Sequence, residues 1–278
     1  MNVLYCGDIH IAQGLILSVL SLKNHVSEPL HVYILTMSLR QNGRQYEPID
    51  AKTVQTIDEI VHQGHPAGTV EVLDVTTLFC EELPEENMET RFTPYCMLRL
   101  YADRLALPDR ILYLDTDVLC RRSPRAFYEQ DMTGIELAGV LDHYGKWFFH
   151  RKIFQFDYMN SGVLLLNLEQ IRKTGLFARA RSYCRRHSMF MPDQSALNKL
   201  VRSKRLWPRR YNEQRQLQDD TVFQHFTTSF RAFPVLHTVS VKPWNREGMH
   251  DILHLHEYDG LYAEYDAFAA TPRPRKEL

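Results

Sequence analysis

Two aspartates, Asp115 and Asp117, directly follow an apolar run in the stretch RILYLDTDVLC at residues 110–120. Burying one unpaired carboxylate is costly and burying two together is worse, so the pair makes sense where water or a cation neutralises it. Residues at positions i and i+2 of an extended chain face the same side, which lets both carboxylates hold one divalent ion. Mg²⁺ and Mn²⁺ prefer carboxylate oxygen and leave coordination positions for phosphate groups. The sequence therefore predicts a divalent metal site that accepts a diphosphate.

The same two-aspartate spacing has a second chemical interpretation. Haloacid-dehalogenase-like phosphatases carry such a pair after a buried strand, with the first aspartate as nucleophile and the second as acid and base. In those enzymes the pair follows the first strand of the chain, and a Thr or Val stands two places beyond the second aspartate. Here the pair comes far into the chain and Leu119 holds that place. The phosphatase therefore stands as an alternative, behind the metal site.

Two further interpretations carry less weight. A D-x-D spacing also arises by chance on solvated loops and at helix starts, and Ser123 followed by Pro124 predicts a helix just downstream. A dinucleotide site needs G-x-G-x-x-G after the first strand, but CGDIHIAQG offers only Gly7 and Gly14. The sequence therefore does not favour a dinucleotide-binding protein.

Alternating strands and helices must position the aspartate pair. In chain order the first part predicts a strand at NVLYC, a helix at residues 11–24, a strand at PLHVYILTM, a polar helix at residues 47–62, a strand at VEVLDV and a short helix. The middle predicts a helix at residues 93–107 with Thr93 as N-cap, the strand before Asp115, strands at ELAGVLD and GVLLLNL, and a helix at residues 169–187. The last third predicts strands or loops at RLWPRRYN, TVFQHF and VSVKPWN, and a helix at residues 249–268.

These elements predict an α/β fold. Near-continuous apolar strands that alternate with helices are typical of a largely parallel sheet covered on both faces. In such sheets ligands bind beyond the carboxyl ends of the strands, which is where the aspartate pair stands. We expect one compact domain over residues 1–245 and a C-terminal helical extension and tail over residues 246–278.

Composition narrows the partners and the compartment. Lys and Arg number 33 against 34 for Asp and Glu, so the net charge of -1 gives no reason to expect nucleic acid. The five cysteines are widely spaced without a C-x-x-C pair, which predicts reduced, mostly buried thiols. The N-terminal residues lack the pattern of a signal peptide, and no stretch approaches the about 18 to 20 apolar residues of a membrane span. We therefore expect a cytoplasmic protein without a transmembrane segment.

Two stretches, ARARSYCRRHS and RSKRLWPRRY, are locally basic despite the neutral total. They fit either solvated helix and strand faces or a contact with phosphate-bearing acceptors and the inner surface of a membrane. We favour solvated faces and keep peripheral membrane contact as an alternative.

Six stretches taken in order resemble glycosyltransferase family 8: YCGD, YCMLRLYADRLALPDR, ILYLDTDVL, DYMNSGVLLLNL, MPDQSALN and KPWN. The family includes bacterial lipopolysaccharide galactosyl- and glucosyltransferases and glycogenin. The resemblance covers about residues 1–245. It implies a GT-A fold, a UDP-sugar donor, Mn²⁺ or alternatively Mg²⁺, and retention of the sugar's anomeric configuration. It also implies a sugar or glycan acceptor, lipid-linked acceptors included, such as those of lipopolysaccharide biosynthesis.

The resemblance assigns a role to individual positions. The metal ligands that it implies are Asp115, Asp117 and His225. The donor-binding residues that it implies are Asp8 at the uracil, Arg99, Asp115, Asp117, and Asn160 and Ser161 at the sugar-binding turn. Lys242, before Pro243 and Trp244, fits either a positive charge on the diphosphate or an exposed lysine before a turn. The residues that it places around the transferred sugar are Asp142, Asp193 and Gln194.

The third metal ligand has two candidates. His225 stands in the HF context of the family but 17 residues before Lys242, whereas His237 has the shorter spacing in other surroundings. We favour His225. The first loop also departs from the family, which often has an Asn and an aromatic residue after the acid where this chain has His10 and Ile11. This departure favours a third function, a UDP-sugar-binding protein without turnover.

Gln194 bears on the mechanism, because the resemblance places it near the anomeric carbon. An amide is a poor nucleophile, so retention through Gln194 predicts same-face attack with the amide stabilising an oxocarbenium-like centre. Asp142 and Asp193 are then acceptors for sugar hydroxyls, although Asp193 after Pro192 also fits a helix N-cap. The aromatic and basic residues 143–158 predict either a lid on the acceptor side or a cover for the core.

Overall fold

The computed structural model describes residues 1–90, 93–143, 157–231 and 237–270. Seven strands form one sheet in the order β10, β8, β9, β6, β1, β2, β5. The strands in the described ranges are β1 (Asn2–Cys6), β2 (His31–Thr36), β3 (Leu39–Gln41), β4 (Arg44–Tyr46), β5 (Thr69–Asp74), β6 (Arg110–Leu114), β7 (Val118–Cys120), β8 (Leu137–Leu141), β9 (Met159–Asn167), β10 (Lys204–Leu206), β11 (Phe223–His225), β12 (Ser229–Arg231) and β13 (His237–Val239). The remaining strands pair in antiparallel twos: β3 with β4, β7 with β11, and β12 with β13.

The α-helices in the described ranges are α1 (Ala12–Lys23), α2 (Ala51–Gly64), α3 (Thr76–Glu81), α4 (Arg125–Tyr128), α5 (Leu168–Thr174), α6 (Leu176–Arg186), α7 (Pro192–Leu200), α8 (Arg246–Asp251) and α9 (Asp259–Ala270). Residues 93–107 were predicted as an α-helix capped by Thr93, but Pro94–Arg104 form a 3-10 helix and the Thr93 side chain makes no capping hydrogen bond. The predicted helix at 169–187 is two helices, because Gly175 adopts the left-handed conformation with φ 68° and ends the first. The predicted helix at 249–268 is likewise divided between α8 and α9.

The sheet is mostly parallel, as the sequence predicts, with one exception. β9 runs antiparallel to both of its neighbours, β6 and β8, whereas the other neighbouring pairs of the sheet are parallel. A strand buried on both faces reads as an apolar run in either direction, so its sequence does not reveal its direction. The antiparallel direction brings the start of β9 to the edge where β6 and β8 end.

Helices cover both faces of the sheet. Within β1, Val3 and Tyr5 face the layer that includes Leu15 of α1, while Leu4 faces the layer that includes Phe177 of α6. Alternate residues of a strand point to opposite faces, so every position of a doubly covered strand must be apolar. This explains why the strand sequences are continuous apolar runs.

The C-terminal helices pack onto the rest of the described fold. Nδ2 of Asn24, which follows α1, donates to Oε2 of Glu264 in α9 at 3.0 Å. The Tyr262 hydroxyl donates to the carbonyl oxygen of Pro243 at 2.8 Å, and Phe268 packs against the core layer that contains Leu15. The division between residues 1–245 and 246–278 stays a prediction.

Two sequence expectations concern the whole chain. All five cysteines are free, and Cys6, Cys120 and Cys184 are buried while Cys80 is exposed. Burial raises the pKa of Cys120 and Cys184 to about 12, which keeps these thiols protonated. No helix in the described part of the chain has both the length and the apolar character that crossing a membrane requires.

Candidate active site

A turn between β6 and β7 carries the two aspartates. Its backbone is fixed on both sides, because Asp115 N donates to Gly162 O at 2.8 Å and Phe226 N donates to Asp117 O at 3.0 Å. β11 pairs with β7, which sets His225 opposite Val118. Nε2 of His225 consequently lies 3.2 Å from Oδ1 of Asp117 and 3.8 Å from Oδ2 of Asp115. Two carboxylates and one imidazole therefore converge at the carboxyl end of β6.

Asp115 is held in place by two neighbours. Its Oδ1 accepts hydrogen bonds from Nη2 of Arg99 at 2.9 Å and from the Tyr113 hydroxyl at 2.6 Å. Arg99 is only 2% exposed, lies over the Tyr113 ring, and also donates to the carbonyl oxygens of Cys96 and Ser161. A buried guanidinium needs such partners. Because Arg99 and Tyr113 both bond to Oδ1 of Asp115, its Oδ2 is left to face His225.

Asp117 faces two basic side chains. Nζ of Lys242 donates to its Oδ2 at 2.5 Å, and Oδ1 faces His225. Burial by itself raises the pKa of Asp117, but the charges and hydrogen bonds of Lys242 and His225 outweigh burial and hold that pKa well below its usual range. Asp117 is therefore an anion at every pH near neutrality.

Asn212 fixes the orientation of His225. Nδ2 of Asn212 donates to Oδ1 of Asn160 at 2.9 Å, so Oδ1 of Asn212 faces His225 Nδ1, 3.1 Å away. Nδ1–H of His225 then donates to Asn212, which leaves the lone pair on Nε2 pointing at the two aspartates. This is the tautomer and the supporting contact that metal-ligating histidines use.

Gly162 provides space in front of these three side chains. A Cβ at this position would overlap the Cε1 atom of His225, and it would lie 2.6 Å from Nδ1 of that ring and 2.9 Å from Oδ2 of Asp115. Real Cβ atoms essentially never approach heavy atoms so closely. The glycine of MNSG is therefore required by the close approach of the aspartate and histidine.

A chain of buried polar side chains continues from Asn160. Its Nδ2 donates to Oδ2 of Asp142 at 3.1 Å, and the same carboxylate oxygen accepts from Nε2 of Gln194 at 2.8 Å. Oε1 of Gln194 accepts from Ser161 N at 2.9 Å. The Ser161 hydroxyl donates to Oδ2 of Asp193 at 3.3 Å, and this carboxylate lies 3.4 Å from Nε of Arg99. The structure thus brings the residues predicted around the sugar into one network with the metal-ligand candidates.

The position of Asp193 argues against one of its two interpretations, the helix N-cap. α7 begins at Pro192 with Met191 at the N-cap position, and no side chain caps this end. Asp193 lies in the first turn and bonds to Ser161 and Arg99 instead. An N-cap role is therefore not what places this carboxylate.

The KPWN stretch is packed against α1. A Cβ at Gly14 of α1 would lie 2.5 Å from Cζ3 of Trp244 and 2.8 Å from the carbonyl oxygen of Thr116. The glycine lets the indole reach the aspartate turn, and this contact places Lys242 next to Asp117.

Three positions considered in the sequence are outside the group formed by Asp115, Asp117 and His225. Asp8 is buried and its Oδ1 accepts from His10 N at 3.0 Å, which caps a 3-10 helix at Ile9–Ile11; burial raises its pKa. His10 itself is exposed. The backbone of His237 lies in β13, paired with Arg231. Among the described side chains, His225 is the histidine that lies at the aspartates.

The predicted lid at residues 143–158 falls mostly outside the described residues, which stop at His143 and resume at Asp157. A cavity of about 300 Å³ opens beside His225. Its lining is mixed, with polar residues such as Gln214 and Thr227 and apolar residues such as Val241, Leu253 and Leu255. Of the three metal-ligand candidates, His225 is the one that lines this cavity.

Sequence reasoning missed several residues that build the site. Asn212 stood only in a stretch predicted as strand or loop, and nothing near it in the sequence indicates contact with His225. Tyr113 read as one more apolar strand residue, although its hydroxyl bonds to Asp115. Gly14 had a signal, since a glycine inside an apolar helix indicates close packing against another group.

Comparison with known proteins places this chain in a family. The profile described as Glycosyl transferase family 8 matches residues 2–248. A protein of Haemophilus influenzae with a provisional name as a glycosyltransferase is 22% identical over 215 residues, which are 73% of this chain. This chain spans only 60% of the length of that relative.

Two crystal structures of LgtC are similar to this chain. One is the galactosyltransferase LgtC in complex with donor and acceptor sugar analogues, with 20% identity and a TM-score of 0.70 over 99% of this chain and 98% of that one. The other is an active-site variant of LgtC with Glu in place of Gln, with 18% identity and a TM-score of 0.70 over 98% of both chains. The seven-stranded sheet is accordingly that of a GT-A fold, and with the profile match over nearly its whole length the chain belongs to glycosyl transferase family 8.

Proposed function

We propose that this protein is a metal-dependent, retaining hexosyltransferase that moves glucose or galactose from a UDP-sugar to a sugar or glycan acceptor. The observation that supports this function best is the convergence of Asp115, Asp117 and His225 at the carboxyl edge of the sheet. Membership of family 8 supports a glycosyltransferase, and LgtC binds donor and acceptor sugar analogues with the same fold.

The side chains at this point fit a divalent ion. Two carboxylates and an imidazole suit Mn²⁺, while Mg²⁺ favours the oxygen ligands alone. Asn212 turns the ligating nitrogen of His225 toward the carboxylates, and Gly162 keeps the space before them free of a side chain. Asp115, Asp117 and His225 would hold the ion, which would supply Lewis-acid stabilisation of the departing diphosphate.

The donor's diphosphate is assigned to Lys242. Its side chain is about one-third exposed and its ammonium lies against Asp117, so it reaches the same region as the metal ligands. Arg99 is not assigned to the diphosphate, because its guanidinium already donates to Cys96, Ser161 and Asp115. We therefore assign Arg99 the role of positioning Asp115 and Asp193. Asp8, at the end of β1, is proposed at the uracil.

The transferred sugar is assigned to the network that joins Asp142, Asp193 and Gln194, with Asn160 and Ser161 at its base. Both ends of the Gln194 amide are engaged, since Nε2 donates to Asp142 and Oε1 accepts from Ser161. A held amide is a poor nucleophile, but its dipole and the two carboxylates stabilise positive charge at the anomeric carbon.

Retention follows from attack on the face that the diphosphate leaves. The bond from the anomeric carbon to the phosphate oxygen breaks, and the acceptor oxygen forms its new bond to that carbon on the same side. The acceptor hydroxyl's proton passes to the departing phosphate oxygen. The residues around the sugar bind and orient it and exclude water, while Lys242 neutralises the charge that develops on the diphosphate.

The acceptor is proposed to enter through the cavity beside His225. The polar residues that line this cavity suit the hydroxyl groups of a sugar, and the apolar ones suit the C–H faces of its ring. A glycan of lipopolysaccharide, a lipid-linked acceptor and contact with the inner face of a membrane stay predictions. Residence in the cytoplasm stays a prediction too.

The proposed function is tested by incubating the protein with UDP-glucose or UDP-galactose and Mn²⁺. We expect slow release of UDP even without an acceptor, because water takes the acceptor's place, and EDTA is expected to stop it. A coupled assay for UDP measures the rate, and GDP-mannose serves as the control donor. UDP release that EDTA leaves unchanged would contradict the proposed metal dependence.

Two alternatives have distinct signatures. A phosphatase would release phosphate from a generic phosphoester through an aspartyl-phosphate at Asp115 and would ignore UDP-sugars; family membership and fold do not favour it. A protein that binds UDP-sugars without turnover would be stabilised against heat by UDP with Mn²⁺, yet release no UDP.

Asn212 offers a test of the histidine ligand. Asn212→Leu leaves Nδ1 of His225 without its acceptor, so we expect the Kd for Mn²⁺ to rise about 10- to 100-fold. Asn212→Asp keeps an acceptor oxygen at the ring and is expected to retain more affinity than the leucine variant. Isothermal titration calorimetry with Mn²⁺ measures both, and equal wild-type affinity in the two variants would remove His225 from the metal site.

A further inference from the structure

The C-terminal segment carries a second group of metal-ligating side chains. Among the residues that the structure describes, two groups of three side chains have ligand atoms that all lie within 4.8 Å of one another. One is the group of Asp115, Asp117 and His225. The other is His250, His256 and Asp259. Nε2 of His250 is 2.7 Å from Oδ1 of Asp259, and Nδ1 of His256 is 3.6 Å from Oδ2 of the same carboxylate. The two imidazole rings stack with their centroids 4.4 Å apart.

The backbone holds these side chains together. His250 belongs to α8 and Asp259 begins α9, while His256 lies in the loop that joins the two helices. Leu255 N donates to the carbonyl oxygen of Met249 at 2.9 Å, and Asp259 N donates to that of His256 at 3.1 Å. Met249 is fully buried, so the loop is anchored to the core immediately before His256. The three ligands are therefore positioned by the fold rather than by one another.

We propose that His250, His256 and Asp259 form a second metal site, which binds a late first-row divalent ion of the Zn²⁺ type. Two imidazoles and one carboxylate are a common ligand set for such ions. The side chain of His256 is 66% exposed and that of Asp259 is 51% exposed, so water completes the coordination from the open side.

The ligand sets of the two sites differ in a way that separates their ions. The group at the sheet edge has two carboxylates and one imidazole, which suits the harder Mn²⁺. The C-terminal group has two imidazoles and one carboxylate, which favours Zn²⁺ over Mn²⁺ and Mg²⁺. Zn²⁺ also binds two carboxylates and an imidazole more tightly than Mn²⁺ does, so a Zn²⁺ titration must be made with the group at the sheet edge weakened.

The position of the second site assigns it a structural role. An ion there links α8, the connecting loop and α9. The same loop contributes Leu253 and Leu255 to the wall of the cavity beside His225. Because an ion that binds only the folded state stabilises it, Zn²⁺ clamps this wall and the start of α9 in place.

The test titrates Zn²⁺ into the full chain with Asp117→Asn in the background, which weakens the group at the sheet edge. Calorimetry is expected to show one remaining Zn²⁺ site, and excess Mg²⁺ is expected not to displace the metal. Adding His256→Ala is expected to raise the Kd of that site at least about tenfold and to abolish the increase in Tm that Zn²⁺ causes. His256 is mostly exposed, so its replacement leaves the fold intact. His250→Gln, which removes a second ligand, is expected to have the same effect.

His62→Ala is the matched control, because His62 pairs with one aspartate, Asp58, on the exposed side of α2 and belongs to no group of three ligands within the described ranges. This variant is expected to bind Zn²⁺ like its parent. The proposal is overturned if His256→Ala and His250→Gln leave the Zn²⁺ affinity and the Tm increase unchanged, or if His62→Ala lowers them equally.

Discussion

Gly162→Ala is expected to lower the rate of UDP release from a UDP-sugar by at least about 100-fold, because it closes the space in which the metal ligands meet. The added methyl carbon would overlap the His225 ring and would stand 2.9 Å from Oδ2 of Asp115. The substitution therefore acts on the two ligands at once, although residue 162 itself offers no ligand atom.

The backbone at this position has little freedom to retreat. Gly162 N donates to Oδ1 of Asn160 at 2.9 Å, and Gly162 O accepts from Asp115 N at 2.8 Å. The imidazole must move instead, which breaks its contact with Asn212 and turns Nε2 away from the carboxylates. Overpacking of this kind costs about 1–3 kcal/mol, so the variant is expected to fold with a lowered Tm.

Three measurements separate loss of the site from loss of the fold. Calorimetry gives the Kd for Mn²⁺, a coupled assay gives the rate of UDP release, and circular dichroism gives the Tm. Gly260→Ala is the matched control, since a Cβ in that helical position meets nothing within 4 Å and both assays should keep their wild-type values. Wild-type Mn²⁺ affinity in Gly162→Ala would show that His225 and Asp115 do not share an ion.

Much of the fold follows from local sequence. Continuous apolar strands such as RILYL and LAGVL are predicted correctly because both of their faces are covered, and helix patterns between them predict parallel neighbours. The boundaries of helices were less predictable. Gly175 ends one helix and permits another to begin at once, and only its left-handed conformation, φ 68°, reveals the break within an otherwise helical pattern.

The direction of β9 matters most for the site and was not predictable. Leu114 of β6 pairs with Val163, and Leu141 of β8 pairs with Met159, so the start of β9 lies where its neighbours end. A parallel β9 would have carried Asn160 and Gly162 to the opposite edge of the sheet. An apolar run contains no information on the direction of its strand. The resemblance to a family indicated the MNSG residues, but not the strand direction that places them at the site.

Contacts between distant parts of the chain complete the site. Lys242 reaches Asp117 across 125 positions, and Asn212 reaches Asn160 across 52. Side-chain spacing along a strand or helix predicts only near neighbours, so it predicted the aspartate pair but not the contacts with Lys242 and Asn212. The metal and donor roles of these residues stay predictions until they are measured.

Asp117→Asn is expected to reduce the rate of UDP release about 10²- to 10³-fold, the effect of removing one group that stabilises charge in a transition state. Asp117 is the more informative of the two aspartates. Asp115 also neutralises the buried Arg99, so its replacement affects the fold as well as the site. Asparagine at 117 keeps the size of the side chain and the backbone bond from Phe226, and Asp58→Asn on the exposed side of α2 is the control that should retain full activity.

Lys242→Met is expected to change the affinity for Mn²⁺ in the direction opposite to Asp117→Asn. The ammonium bonds to Oδ2 of Asp117 at 2.5 Å, while Oδ1 faces His225, so a cation held by Oδ1 would lie beside a like charge. Removing Lys242 is expected to tighten Mn²⁺ binding about two- to fivefold, a modest gain because the side chain is about one-third exposed. The affinity for UDP with Mn²⁺ is expected to fall at least about tenfold, because a charged hydrogen bond to the diphosphate is lost.

The two variants together test whether Asp117 holds the metal and Lys242 holds the diphosphate. Titration of Mn²⁺ alone should show weaker binding in Asp117→Asn and tighter binding in Lys242→Met, and titration of UDP with Mn²⁺ should show weaker binding in both. A structural role for the Lys242–Asp117 ion pair alone predicts another pattern, in which both variants lower the Tm and neither changes the Mn²⁺ affinity. Because the Lys242 ammonium repels a cation held by the same carboxylate, weaker Mn²⁺ binding in Lys242→Met would place the ion elsewhere.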